Sequence, residues 1–241
     1  MNAPMQFTLI FVKKEQVALD TYTFYFSAKG RPAPGRGWDF IAGQYVKMTF
    51  GEENHLFTIS SSPNNKNFLT ITTKMRHSSF KKALLNLTTG IPVSFEGLRG
   101  DFVLKETDAE YVFLVGGIGV TPLMSILHFL DEQELPTKIT LLASFSTVEE
   151  VIYYKEFKEI ESRNPNVKIV YTLTHLEESV QTWTGETGRI SEEMIKKYIV
   201  NVYNPYYYIV GPPKMVDAMI EIVEKMGVRK EKMVKESFSG Y

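Results

Sequence analysis

The 241-residue sequence contains no cysteine. That absence excludes disulfides, a thiolate nucleophile, cysteine-ligated zinc and a cysteine-bound iron–sulfur cluster within these residues. Histidine is scarce. The four, His55, His77, His128 and His175, stand singly with no HExxH or HxH spacing, so no histidine-built metal centre is expected. An excess of charge is also missing: 27 Lys and Arg against 28 Asp and Glu leave a net charge of −1, and no global field draws the chain to nucleic acid or an anionic membrane. Residues 1–12 lack a basic region followed by a long apolar stretch and a small-residue cleavage site, so no signal peptide is read and a cytoplasmic location is expected.

What the sequence has is apolar material, 44% hydrophobic and 13% aromatic, ample for a buried core. The length suits one large domain or two ordinary ones. One run, residues 111–130, is about twenty residues without a formal charge and long enough to cross a bilayer. Gly116, Gly117 and Gly119 followed by Thr121 and Pro122 break it into a strand, a turn and a second apolar piece. A strand and a helix of a soluble α/β core give the same hydropathy, and no membrane insertion is expected.

The first hundred residues read as β-rich. Residues 6–12, 19–27, 44–50, 56–60 and 68–74 mix Val, Ile, Thr, Tyr and Phe with partial alternation, joined by turn-rich segments at 29–37 and 63–65. Short strands at this spacing point to a barrel or sandwich, interrupted by one helix over 79–87. From residue 111 the rhythm changes. Strand candidates 111–115, 138–143, 167–173 and 206–210 alternate with helix candidates 122–132, 149–162, 191–198 and 213–226. That alternation predicts a parallel sheet covered on both faces. The expected organisation is therefore an N-terminal antiparallel β-barrel domain, residues 1–106, and a C-terminal α/β domain, residues 107–241.

Val115-Gly116-Gly117-Ile118-Gly119-Val120-Thr121-Pro122 joins the first parallel strand to its helix. Ligands of open α/β sheets bind outside the C-terminal ends of the strands, glycines admit a pyrophosphate, and the helix offers free N–H groups. Pro122 suits the first helical turn and Thr121 is a candidate cap. The spacing is not GxGxxG, and a tight ligand-free turn is the plain alternative. A second glycine turn, Gly211-Pro212-Pro213-Lys214-Met215, follows the strand at 206–210 and places another ligand-approaching backbone on the same sheet edge.

This order of barrel, Gly-Gly-x-Gly-x-Thr-Pro and Gly-Pro-Pro-x-Met resembles the ferredoxin–NADP reductase superfamily of flavin enzymes over essentially the whole chain. The segment His55-Leu56-Phe57-Thr58, followed by Ser60-Ser61-Ser62-Pro63, is similar to the family's Arg-x-Tyr-Ser and Ser-x-Pro segments. The resemblance gives the flavin-phosphate role to His55, packing on the isoalloxazine to Phe57, and a hydrogen bond near flavin N5 to Thr58. Histidine in place of arginine removes an always-charged bidentate fork. The segment Thr72-Thr73-Lys74-Met75-Arg76-His77-Ser78-Ser79-Phe80-Lys81 resembles the second flavin segment, with Ser78 or Ser79 capping the helix and Arg76 or Lys81 supplying positive charge. Lys82 reads as a solvated face. At the C-terminus, Glu236 and Phe238 match the family's Glu-x-aromatic ending, which sets the acid near the reacting nicotinamide–flavin pair. Tyr241 extends past it and would stack on flavin or adenine, or fray.

NADP-using members place Ser and Arg after the second parallel strand. Here Ala143-Ser144-Phe145-Ser146-Thr147 has serines but no arginine, which favours NADH. Tyr154-Lys155 resembles a pair that some NADP-using members employ. The resemblance thus implies FAD and NAD(P)H as cofactors, with hydride passing to the flavin and electrons onward to a ferredoxin, a flavodoxin or a partner oxidoreductase. Two alternatives stay open. His55 leaves room for a reductase of free flavin or ferric complexes, and a regulatory subunit that has lost flavin is opposed by the retained Thr58 and glycine turns.

Overall fold

The computed structural model describes residues 5–27 and 39–238. They divide into two compact units. The first takes the residues up to Leu104 together with Thr121–Glu132, and the second takes Lys105–Val120 and everything from Gln133 on.

In the first unit, β1 (Gln6–Ala18), β2 (Thr21–Ser27), β3 (Tyr45–Phe50), β4 (Glu53–Thr58), β5 (Phe68–Lys74) and β6 (Pro92–Arg99) form an antiparallel sheet in the order β4-β3-β6-β1-β2-β5. Its outer strands meet. Beyond β4, Ile59 bridges to Ile71, and the Ser60 N–H donates to the Thr70 carbonyl at 2.8 Å, closing the sheet into a barrel. Period-two alternation turns Val46 and Met48, Phe24 and Phe26, Leu69 and Ile71, and Val93 and Phe95 into one buried core. Phe95 sits 5.1 Å from Phe26, edge to face, and 5.6 Å from Phe7, stacked.

Two helices belong to this unit. α1 (Ser79–Leu85) buries Phe80 and Leu84, one turn apart, and the Ser78 hydroxyl caps it by accepting the Lys81 N–H at 3.2 Å. α2 (Thr121–Glu132) is fastened through Ser125 Oγ, which donates to the Ser61 carbonyl at 2.7 Å, and through Glu132, whose carboxylate accepts from Ser62 Oγ at 2.5 Å.

The second unit is an all-parallel sheet of β7 (Glu110–Gly116), β8 (Lys138–Phe145), β9 (Val167–Leu173), β10 (Glu186–Thr187), β11 (Tyr206–Gly211) and β12 (Met233–Ser237), in the order β10-β9-β8-β7-β11-β12. α3 (Tyr154–Arg163), α4 (Glu192–Tyr198) and α5 (Pro213–Lys225) connect them. From β7 the chain runs outward to β8 and β9, then returns to lay β11 on β7's other side. The β7/β11 pair is therefore the point where strand order reverses. Aromatic side chains reinforce it: Tyr111 lies 5.4 Å from both Tyr206 and Tyr208, and Phe113 lies 5.2 Å from Tyr208. The Tyr111 hydroxyl accepts the Lys105 and Glu106 N–H groups at 3.1 and 2.9 Å and donates to the Glu106 carbonyl, pinning the chain as it enters the strand.

The structure departs from the sequence reading at particular places. Residues 149–162 are not one helix. A 3₁₀ turn, Val148–Glu150, is followed by the buried residues Val151, Ile152 and Tyr153, and Tyr153 takes a left-handed conformation (φ 60°) before α3 begins. Burying three consecutive apolar side chains suits extended chain better than one helical face. The segment 19–27 holds a turn at Leu19 and Asp20 (φ 52°) before β2. β6, β10 and β12 are strands that the sequence reading leaves unassigned. The uncharged run at 111–130 resolves into β7, a 3₁₀ turn and the 12-residue α2, and no helix among the described residues is long and apolar enough to cross a membrane.

Because Phe95 fills the barrel centre against two other rings, Phe95→Ala is expected to cost about 3–5 kcal/mol in urea denaturation. Val200→Ala, at a fully exposed position, is expected to stay within about 0.5 kcal/mol of the parent.

Candidate functional site

The first unit gathers its chemistry where β4 and the β5–α1 connection meet. His55 and Phe57 share one face of β4 by alternation, and both rings meet Phe80 from the first turn of α1. Phe57 and Phe80 stack at 5.8 Å, and His55 lies 4.4 Å from Phe80. His55 is half exposed, with Nε2 3.9 Å from the Glu53 carboxylate, and that carboxylate also accepts from Ser79 Oγ at 2.5 Å. Leu56 and Thr58 occupy the other face. Leu56 is exposed, whereas Thr58 is largely buried.

A cavity of about 490 Å³ is bounded by the β5–α1 connection, one face of α1 and the β1–β2 turn. Lys74, Arg76, His77, Lys81 and Lys82 line it, with Asp20 as the one acid. The Met75 N–H donates to the Asp20 carbonyl at 2.6 Å, which draws the turn against the connection. Lys81 Nζ donates to Thr73 Oγ1 and lies 4.9 Å over the Phe57 ring. Burial, aided by the neighbouring Arg76 charge, pushes its ammonium down to about 8.

Of the residues proposed from sequence, the structure thus brings together His55, Phe57, Thr73, Lys74, Arg76, Ser79, Phe80 and Lys81. Thr72 points elsewhere: its hydroxyl bonds those of Thr23 and Ser60 at 2.7 and 3.2 Å, in a buried network that Thr70 joins at 2.9 Å from Ser60. The Ser78 hydroxyl is occupied in capping. Asp20 is an addition that the sequence reading did not place, and His77 stands within the second flavin segment but carries no role in that reading. Asp20 is distant in sequence and reaches the cavity only through the barrel's closure.

In the second unit both glycine turns lie at the C-terminal ends of β7 and β11. A Cβ on Gly116 would sit 2.3 Å from Met215 Sδ, one on Gly119 would sit 2.8 Å from the Val210 carbonyl oxygen, and one on Gly211 would sit 3.0 Å from the Gly116 nitrogen. Glycine at these three positions is required by the approach of one turn to the other. Gly117 differs. It is left-handed (φ 52°) with open space where a side chain would be, so it is the position at which a ligand can reach the backbone. Pro212 opens α5, and Met215 holds the turn through its N–H to the Pro212 carbonyl at 2.9 Å. Thr121 and Pro122 are the first two residues of α2, entered from a 3₁₀ turn, Gly117–Val120.

Ser144, the second-last residue of β8, lies opposite Gly116 and Thr172, and the Ser146 carbonyl accepts the His175 N–H at 2.9 Å. The turn that follows carries Glu149, whose carboxylate accepts the Val180 and Gln181 N–H groups at 3.0 and 3.3 Å. Tyr154 opens α3 and packs 5.3 Å from Tyr171 and 6.5 Å from Trp183. β12 pairs in parallel with β11, setting Glu236 beside Val210, and the Phe238 N–H donates to the Gly211 carbonyl at 3.0 Å. Glu236 and Phe238 therefore stand at the same sheet edge as the second glycine turn. Glu236 Oε2 is buried without a hydrogen-bond partner, and burial pushes the carboxyl up to about 7. Tyr241 lies outside the described residues.

Comparison with known proteins fits this geometry. Residues 113–221 match the oxidoreductase NAD-binding domain family model. The F component of the Na(+)-translocating NADH-quinone reductase of Methylococcus capsulatus is 32% identical over 163 residues, covering 65% of this chain and 39% of that one. The corresponding component from Actinobacillus succinogenes is 28% identical over 219 residues, covering 84% and 53%. The chain therefore spans roughly two fifths to one half of these curated relatives. Among solved structures, the flavohem-like FAD/NAD binding domain of nitric oxide dioxygenase from Vibrio cholerae shares the fold at TM-score 0.83 and 19% identity, covering 96% of this chain and 98% of that one. A ferredoxin NADP+ reductase from Neisseria gonorrhoeae with bound FAD and NADP does so at 0.79 and 18%, covering 96% and 98%.

Two variants probe the second unit. Gly119→Ala must displace backbone and is expected to destabilise by about 1–3 kcal/mol in urea denaturation, whereas Gly117→Ala meets only the cost of its left-handed backbone, about 1–2 kcal/mol. Glu236 has a folded value above its unfolded one, so ionising it costs stability as pH rises through about 7, and below the ordinary carboxylate range the cost vanishes. Glu236→Gln is thus expected to raise the melting temperature at pH 8 and leave it nearly unchanged at pH 4.5, at about 2–4 °C per kcal/mol.

Proposed function

We propose that the chain is a member of the ferredoxin–NADP reductase superfamily and that it is an FAD-dependent oxidoreductase that draws reducing equivalents from NADH and delivers electrons to a separate acceptor. The observation that carries this reading is the union in one chain of a barrel bearing stacked rings and a basic cavity, and a parallel sheet with two glycine turns at its reversal point. Bound FAD would accept hydride from the nicotinamide and release its electrons to the acceptor.

The chain's own residues orient and tune. Phe57, stacked on Phe80, would pack at the isoalloxazine, and the Thr58 hydroxyl would hydrogen-bond to it. Gly117 admits the dinucleotide to the backbone, with the turn around it held by Gly116, Gly119, Gly211, Pro212 and Met215. Glu236, balanced between its two protonation states near neutral pH, can hold or release a proton at Oε2 beside the second turn. NADH is favoured over NADPH because the turn after β8 presents Ser144, Ser146 and the fixed Glu149 carboxylate without an arginine, and a dianionic 2′-phosphate wants a guanidinium there. The acceptor is a ferredoxin, a flavodoxin or another oxidoreductase component, since the 241 residues hold no cysteine for a cluster of their own.

A second reading, reduction of free flavin or ferric complexes with loosely held flavin, is favoured by His55, which supplies no permanent charge. FAD that stays with the protein through gel filtration supports the first reading, and FAD that elutes separately supports the second. For the hydroxyl role, Thr58→Val is expected to keep FAD and slow flavin reduction by NADH at least about tenfold in stopped-flow absorbance, the scale of one lost hydrogen bond. An unchanged rate would remove Thr58 from the site.

A further inference from the structure

From Pro122 to Leu127, the buried run of α2 is apolar except at Ser125, which is fully buried. A serine inside a helix commonly turns its hydroxyl back to a carbonyl of the preceding turn. Ser125 Oγ instead donates at 2.7 Å to the Ser61 carbonyl, 64 residues earlier in the chain. Alanine would continue the helix with no polar group to satisfy, so what the serine adds is that bond.

The bond reaches the chain just beyond Thr58, the last residue of β4. Thr58 lies opposite Tyr45, and the residues after it are held on two sides. The Ile59 N–H donates to the Gln44 carbonyl at 3.0 Å, the Ser60 N–H to the Thr70 carbonyl at 2.8 Å, and the Thr70 N–H to Ser61 Oγ at 3.1 Å. Ile126, next on the helix, bears on the same stretch from another direction. A Cβ on Gly43 (φ 100°) would meet the Phe102 carbonyl oxygen at 2.0 Å and Ile126 Cδ1 at 3.4 Å, so α2 packs against the turn that supplies the Gln44 carbonyl. Glu132 also reaches Ser62, but from an exposed position where water can take its place. Ser125 is the buried anchor.

We propose that Ser125 is a positioning residue for the Thr58 hydroxyl: its bond to the Ser61 carbonyl fixes the end of β4 on α2 and holds Thr58 in the place where it serves the flavin. This assignment rests on the flavin reading above and adds to it a residue that acts at one remove. Losing the hydroxyl takes a donor from a buried carbonyl and frees the strand end to shift. A shift of the order of an ångström in a group that aligns the reacting partners is enough to slow a reaction severely, even when its origin is remote.

Two variants test it. Ser125→Ala places a better helix former in α2, and Ser125→Cys keeps the volume but offers only a weak donor. On the full chain freed of flavin, hydrogen–deuterium exchange at the amides of Ile59 and Ser60 is expected to quicken about tenfold in both variants, while the amides of β9 keep their rate. With FAD bound, the limiting rate of flavin reduction by NADH is expected to fall about three- to tenfold in stopped-flow absorbance, no further than in Thr58→Val itself. The NADH concentration at half-saturation should move less than about threefold, since no contact to the dinucleotide is removed. Ser125→Ala combined with Thr58→Val should stay within about twofold of Thr58→Val alone, because both changes remove the same effect.

Unchanged exchange at Ile59 and Ser60 in both variants would mean that Ser125 does not hold the strand end, and would overturn the assignment. Faster exchange with an unchanged reduction rate, the signature of packing alone, would overturn it too, as would slowing that multiplies with that of Thr58→Val. Each of these results leaves the flavin reading intact. Failure of wild type to take up FAD would remove that reading, and this assignment with it.

Discussion

Direct pairing of β7 with β11 is the contact on which the nucleotide-binding half depends. The two strands are distant in sequence, and their C-terminal turns approach so closely that Gly116, Gly119 and Gly211 cannot carry a Cβ without meeting backbone or Met215. Aromatic side chains lock the other end of the pair, with the buried Tyr111 in ring contact with Tyr206 and with the buried Tyr208. Once this pair is fixed, β8 and β9 extend on one side and β12 on the other, and every residue of interest in the unit falls at one sheet edge. Ser144 stands near the end of β8, Gly117 has open space around it after β7, and Glu236 arrives on β12. The glycines serve packing first, and only Gly117 is left free for a ligand.

The barrel works under a different constraint, the handling of polar groups. Hydroxyls of Thr23, Thr72, Ser60 and Thr70 satisfy one another across strands, so the wall beside the candidate site is rigid and closed to further partners. No side-chain nitrogen or oxygen is buried without a hydrogen-bond partner among the described residues of the barrel. In the second unit the Tyr171 hydroxyl and Glu236 Oε2 are buried without a partner, and only Glu236 stands at the sheet edge that carries the glycine turns.

Much of this was readable from residue order. The two-part architecture followed from the switch between period-two strands and strand–helix alternation, and β5 and β9 have the ranges that the pattern predicts. Other elements hide for physical reasons. β12 carries Lys235 and Glu236 because it is an outer strand, where charge is tolerated and even useful against aggregation. β6 does alternate, with Val93 and Phe95 inward and Ser94 and Glu96 outward, but Gly90 before it and Pro92 as its first residue mask its start. Tyr153 breaks the helix expected over 149–162 by a single left-handed residue that no composition rule foretells. At the site, motif order located the segments but not the division of labour. Thr72 and Thr73 are adjacent in sequence and face opposite ways, and Asp20 joins the cavity from a hairpin more than fifty residues away.

The central claim is that this chain binds FAD and lets a nicotinamide reduce it. The visible spectrum of the purified protein under anaerobic conditions, recorded before and after separate additions of NADH and NADPH, tests it most directly. The account predicts a flavin spectrum that bleaches rapidly with NADH and slowly with NADPH. A colourless protein that takes up no added FAD, or a flavin spectrum that neither nucleotide bleaches, would contradict it.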